Sequence, residues 1–315
     1  MRHSLARILS LSLLFMFFGL LLTIPAMAVM PAAQVLPDTT RGFVSIPDFY
    51  RLQDDFDKTQ IGQLLLDPVM EPFSKDLKRQ LKEKWSDAHE SLGLTWTDIE
   101  NVPGGEVVAA RIQPAENESA MVMIVDITGK QAEADELLQK VAARMTSREA
   151  TVELIDVQNT SLTVYTGTTK ADKGNQAVFF IAPNHHQLVA ADDLDIAEGI
   201  LRRFAGNATD SLASVAAFDA TMRQVDSQQG NQVSHLRWFV EPFGFLEATR
   251  AADPNYQPKK GIDLFQILQA QGFDAVKGVG GLISFASGEQ DILHRTMVFA
   301  PALEREPGNS NTDKY

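Results

Sequence analysis

"SAMVMIVDI", residues 119–127, is apolar at odd and even positions alike from Ala120 to Val125. Successive side chains of a strand point to opposite faces, so this strand offers water no polar face and must be covered on both sides. The stretch therefore predicts a sheet with helices laid across it. The segments around it agree. "GFVSIPD" (42–48) predicts a short strand ending at Pro47, with Asp48 capping the helix that follows. Strands are predicted near 106–112, after the turn "VPGGE", and in the pairs "TVELIDV"/"LTVYTGT" and "QAVFFIAP"/"QLVAAD". The first pair is joined through Gln158, Asn159, Thr160 and Ser161, which read as a hairpin turn.

Helical spacing occupies the intervals. A helix opens at Asp67-Pro68, cap and first helical residue, and carries Val69, Phe73, Leu77, Leu81 and Trp85 at every fourth position. Lys75, Lys78, Arg79 and Lys82 take its other faces. Such a stripe reads as a groove for a partner or as a face packed on the sheet, and packing is expected. A second helix near 130–145 aligns Ala134, Leu137, Leu138, Val141 and Met145. Others are expected near 193–204, 211–226 and 262–271, the last ending at Gly272. "VSHLRWFVEP" places Leu236, Trp238 and Val240 on one strand face, and "VGGLISFASG" and "ILHRTMVFAP" supply the last strands. The class is α+β: a largely antiparallel mixed sheet of about ten strands with about six packed helices.

The first 28 residues form an export pattern. Arg2 and Arg7 precede the apolar run Ile8–Leu22, Pro25 breaks it, and Ala26-Met27-Ala28 offers a small-x-small cleavage site. The rival reading is an uncleaved anchor, because the run to Ile24 approaches the ~20 residues a spanning helix needs. The expected layout is a signal peptide at 1–28, a linker at 29–35 and an α+β domain at 36–300 that can be subdivided near 206. The polar, aperiodic tail at 301–315 is expected to be disordered. Removing the signal takes two of 28 basic residues and none of 41 acidic ones, leaving a net charge of −15. That surface repels phosphate backbones, so nucleic acid is not an expected partner, and a membrane is one only if the N-terminal segment is retained. With no cysteine, thiol catalysis, disulfides, lipoprotein acylation and cysteine zinc sites are excluded.

The chemistry-bearing residues yield more readily to structural readings. In "PNHHQLVAADDLD" (183–195), Pro183 ends a strand, Asn184, His185 and His186 make the turn, and Asp192 or Asp193 caps the next helix, with Asp195 in its first turn. Adjacent histidines point apart and seldom share a metal. His185 and His186, with remote His235, remain the candidate metal ligands, and no cofactor is expected. "KGVGG" (277–281) lacks the strand–loop–helix setting of a nucleotide loop and reads as a bulge or turn at a strand start. "FASGE" lacks a nucleophile elbow, and Asp54, Asp55 and Asp57 read as a solvated helix face.

"LPDTTRGFVSIPDF", "KTQIGQLLLDPVMEPF", "VPGGEVVAAR" and "QGFDAVKGVGGLISFASGEQDILHRTMVFAP" together touch most of residues 36–301. In these the chain resembles a planctomycete-type family of exported bacterial proteins of unknown function. The resemblance implies export and a chain that runs on past the last strand. It carries over no functional residue, because none of these motifs is tied to a known reaction. The expected role is a non-catalytic protein of the periplasm, cell envelope or extracellular space, binding an unknown protein. The alternative is a carrier of a hydrophobic or lipid-like ligand in a cavity lined by the helix near 68–85. The third is a metal-assisted hydrolase using His185, His186 or His235. Intact mass of the exported protein is expected to correspond to a chain beginning at Val29; a mass retaining residues 1–28 would establish the anchor instead.

Overall fold

The structure, a computed structural model, describes residues 29–88, 94, 100–169, 173–206, 209–230, 232–253, 256, 264–287 and 290–301. The expected signal peptide and the tail from 302 onward lie outside the described residues. The strands are β1 (Thr40–Ile46), β2 (Val107–Ile112), β3 (Ala120–Asp126), β4 (Thr151–Val157), β5 (Thr160–Thr166), β6 (Gln176–Ala182), β7 (Gln187–Ala191), β8 (Leu236–Val240), β9 (Gly278–Ser287) and β10 (Gln290–Phe299). The helices are α1 (Ala32–Val35), α2 (Phe49–Asp57), α3 (Gln60–Leu66), α4 (Glu71–Ala88), α5 (Gln131–Ser147), α6 (Leu194–Phe204), α7 (Ala216–Gln229), α8 (Pro242–Ala251) and α9 (Leu264–Ala270). All ten strands form one antiparallel sheet in the order β10-β9-β8-β1-β2-β3-β7-β6-β5-β4.

Strand β3 lies inside this sheet, and every one of its residues is buried. Ala120, Val122 and Ile124 join a core roofed by α1, α6 and α7, whose Val35, Ile200, Leu201, Phe204, Phe218 and Met222 pack on them and on Phe43 and Phe239. Met121, Met123 and Val125 face the other way, beneath Ala134, Leu137, Val141 and Met145 of α5. Each large apolar side chain so buried contributes about 1.5–3 kcal/mol, which is why α5 forms where its three-and-four spacing recurs. Phe245 of α8 covers Gly42 on the α5 face, where a Cβ would collide with its ring.

Four expectations need correction. Residues 32–35 are no linker: they form α1, with Ala32 and Val35 fully buried in the core, since apolar side chains at the edge of an open core gain more by packing than by solvation. The β4–β5 turn is tighter than the four residues expected. Only Gln158 and Asn159 make it, both with positive φ (51° and 64°), as the two-residue hairpin turn matching strand twist requires. The glycines of "KGVGG" are neither bulge nor turn but lie within β9. A Cβ at Gly278 would stand 2.7 Å from the Phe239 ring, and one at Gly280 2.7 Å from the Trp238 carbonyl and 2.8 Å from Thr221 of α7. They let α7 and β8 approach closely. The helix opening near Asp67-Pro68 begins as a 3₁₀ turn, with the Asp67 carboxylate accepting from Val69 N–H at 2.8 Å. It continues as α4, which does not lie on the sheet.

Gly280→Val is expected to lower stability by about 1–3 kcal/mol through overpacking against α7. An unchanged denaturation midpoint would contradict the close approach of β9 to α7.

Candidate functional site

The β6–β7 turn disposes of the adjacent histidines. Asn184 and His186 take positive φ (61° and 50°), so the chain reverses within "PNHH" and β7 returns beside β6. His185 lies against the Phe204 ring, centroids 5.1 Å apart, and His186 is exposed. Asp193 is the cap of α6, accepting from Ile196 N–H at 2.9 Å, while Asp192 accepts from Met121 N–H at 2.6 Å. The motif's residues thus serve the turn, β7, a bond to β3 and the helix cap.

His235 stands elsewhere. It immediately precedes β8, four strand spacings from β7, which at the usual separation is roughly 19 Å across the sheet. Among the described residues no three His, Asp or Glu side chains converge as a metal would require. The three candidate ligands therefore do not form one site.

His235 is instead half of a buried pair, 2% exposed, with its Nε2 2.8 Å from Oδ2 of Asp55 on α2. The Phe285 N–H donates to its Nδ1 at 3.0 Å. A backbone N–H can only donate, so Nδ1 is unprotonated and Nε2–H points at the carboxylate. Both ring nitrogens are committed, which leaves none to take a proton from a nucleophile. Asp55, expected on a solvated face, is a correction. Lys58 at 2.8 Å and His235 hold its carboxyl down from 3.8 to about 2, the lysine contributing most. Around the pair, Phe56 packs edge-on to Phe285 (5.3 Å) and Asp291 of β10 accepts from Gln60 N–H at 2.9 Å. Side chains from 180 positions apart in sequence thus clamp α2 and the start of α3 onto β8–β10. No local pattern announces such a contact.

What the clamp holds is a helical arm. α3 packs against α2, α4 and the 3₁₀ turn, and α4 packs against α3 and that turn. Their apolar side chains face water: Ile61, Leu64 and Leu66 on α3, then Val69 at 84% exposure, Phe73 at 55% and Leu81. Among the described residues of the stripe expected to pack on the sheet, Val69, Phe73 and Leu81 are exposed and Leu77 is half-buried, because the chain turns at Thr59 and again at Asp67. Thr59 caps α3 through Gly62 N–H (2.9 Å), and Asp67 then redirects the chain into the 3₁₀ turn. Trp85 falls where no side chain is described. The polar faces are laced by pairs such as Lys75–Glu71 (2.6 Å) and Arg79–Glu83 (2.8 Å), which keep α4 helical without a core of its own.

No protein-family model, curated protein or solved structure matches the chain.

A second feature lies on the α5 face. A depression of about 470 Å³ opens where α5 stops covering the sheet, lined by Leu138, Tyr165, Phe179, Ile181 and Pro183 together with Asn159, Ser161 and Thr163. The helix at 68–85, expected to line such a cavity, does not contribute to it. Among the described residues no helix is long and apolar enough to cross a membrane.

The clamp has a pH signature. A depressed folded-state pKa means that the Asp55 carboxylate contributes stability in full above 3.8, progressively less as the pH falls below that, and none once it passes below about 2. Asp55→Asn is expected to be less stable than the wild type at neutral pH, with the two melting temperatures converging over that acid window. A constant gap down to pH 2 would show that the carboxylate has no such role.

Proposed function

We propose that the chain is an exported, non-catalytic protein of the periplasm or cell envelope that binds another protein through the α3–α4 arm. One observation carries the reading: six large apolar side chains between residues 61 and 81 of one arm stand in water. Each forgoes about 1.5–3 kcal/mol of burial, and contiguous apolar exposure on a soluble protein marks a surface built to be covered. The mode it fits is a helix laid into a partner's groove, with anchors at positions 69, 73 and 81 near a helical repeat. The export pattern of residues 1–28 and the resemblance to exported planctomycete-type proteins support the compartment. The commitment of both His235 nitrogens counts against a catalytic histidine there, and the scattered His185, His186 and His235 lend nothing to a metal-assisted hydrolase.

The second reading, a carrier of a hydrophobic or lipid-like ligand, is favoured by the depression beside α5. Its volume falls within the range of small-molecule sites, about 300–1,000 Å³.

A photo-crosslinking residue placed at Phe73 or Leu81 is expected to yield one discrete protein adduct in the envelope of the exporting cell. The same residue at exposed Arg223 on α7 should yield none. Phe73→Ser should abolish the Leu81 adduct while changing stability by no more than about 0.5 kcal/mol, as at a surface position. Equal adducts from Arg223, or none from the arm, would overturn the reading.

A further inference from the structure

We infer that the depression between α5 and strands β5–β6 binds an uncharged amphiphile, its hydroxylated head at the β4–β5 hairpin and its apolar portion across the neighbouring β4. The inference rests on the carrier reading and specifies its ligand.

Register places the groups. Residues directly opposite on antiparallel strands share a face, with Cβ atoms about 4.5–5.5 Å apart. Val152 pairs with Tyr165, Leu154 with Thr163 and Asp156 with Ser161; Thr163 pairs in turn with Phe179, and Tyr165 with Ala177. These side chains therefore lie together on the α5 face. Leu138 of α5 forms the wall on the covered side. On the open side Val152 and Leu154 stand 62% and 68% exposed on an edge strand with no further strand beside it. Natural sheet edges are ordinarily protected by lysine, proline or a bulge, and β4 has none of these on this face.

The surface is mixed: its polar groups follow β5 from the hairpin, and apolar groups flank them on β4 and β6. At the hairpin end are Asn159, Ser161 and Thr163, and no side-chain hydrogen bond to a described residue occupies any of the three. Beside them are Leu154 and Phe179, both opposite Thr163, and beyond these are Val152 and the Tyr165 ring. Hydroxyls and an amide can donate and accept at once, which suits an alcohol or ester head. Charge points the same way. Among the described residues no charged side chain lines the depression, so an ionised head would be desolvated there without a counter-ion. A carboxylate on this face, Asp156 opposite Ser161, repels an anionic head. Being exposed, it attracts a cationic one only weakly. Burial also pushes the Tyr165 phenol up, so it stays neutral and contributes a ring and a donor.

The test is titration calorimetry on the exported protein with three probes of equal chain length below their micelle concentrations: monolauroylglycerol, laurate and dodecylammonium. Monolauroylglycerol is expected to bind at one site, at least about tenfold tighter than either ion. Thr163→Val, which removes a hydroxyl at constant shape, should weaken it about tenfold, and Leu138→Trp should abolish it by filling the depression. Thermal unfolding of both variants provides the control for folding. If no probe binds, the carrier reading and this inference both fall. If laurate or dodecylammonium binds as tightly as monolauroylglycerol, the inference falls and the carrier reading stands. If both folded variants bind like the wild type, the ligand lies elsewhere and the inference falls. A native mass showing a dimer that excludes the probe would give β4 to a second copy and overturn it as well.

Discussion

A strand buried on both faces dictates the rest of this molecule. β3 carries methionines, valines and an isoleucine on its two sides, so it cannot sit at the surface of a two-layer fold; helices must roof it above and below. That requirement explains why α5 and the α1–α6–α7 group lie on opposite faces. It also explains why burial falls away toward β4 and β10, where helices no longer reach. With no cysteine in the chain, this apolar sandwich has no disulfide to support it, and its net stability must come from non-covalent contacts, packing first among them.

The same economy separates the two candidate binding surfaces. Both are places where the helical roof stops. On one side α5 ends its cover at β6, leaving a floor of mixed hydroxyl and apolar side chains. On the other, the chain between β1 and β2 leaves the sheet as the α3–α4 arm, secured at its base by one buried imidazole and one carboxylate. A hydrogen bond to a charged group is worth about 1.5–3 kcal/mol, enough to fix where the arm departs but not to bury its stripe. Rigid base and unburied stripe together give a surface that is oriented in advance.

The fold was largely legible because its signals are local. The unbroken apolar run of β3, periodicity in α5, the Asp193 cap and the Asp48 cap each act over a few residues, and each stands where the spacing puts it. The misreadings share another cause. Gly280 looked like chain reversal because its purpose, the closeness of Thr221 and Trp238, lies outside its neighbourhood. Asp55 looked solvated because its partner is 180 residues away. The Val69–Leu81 stripe looked like core because amphipathicity records that a face is apolar, not whether this chain or another covers it. α8 went unread although Glu241-Pro242 carries a legible start, the Glu241 carboxylate accepting from Gly244 N–H at 2.8 Å.

The strand order also bears on how the chain assembles as it emerges. Residues 40 to 191 contain β1 to β7, seven strands that pair into a continuous sheet without anything that follows. β1 is then left as a bare edge, and it acquires its neighbour only when Val240 arrives opposite Gly42. Until then the Phe43 ring has neither Phe239 nor Phe218 beside it. The first two-thirds of the chain can therefore condense early, while the last three strands dock late and across a long separation, the slow kind of contact. During that interval β1 presents an open ladder, which makes this the moment when a nascent chain of this topology is most exposed to pairing with another copy.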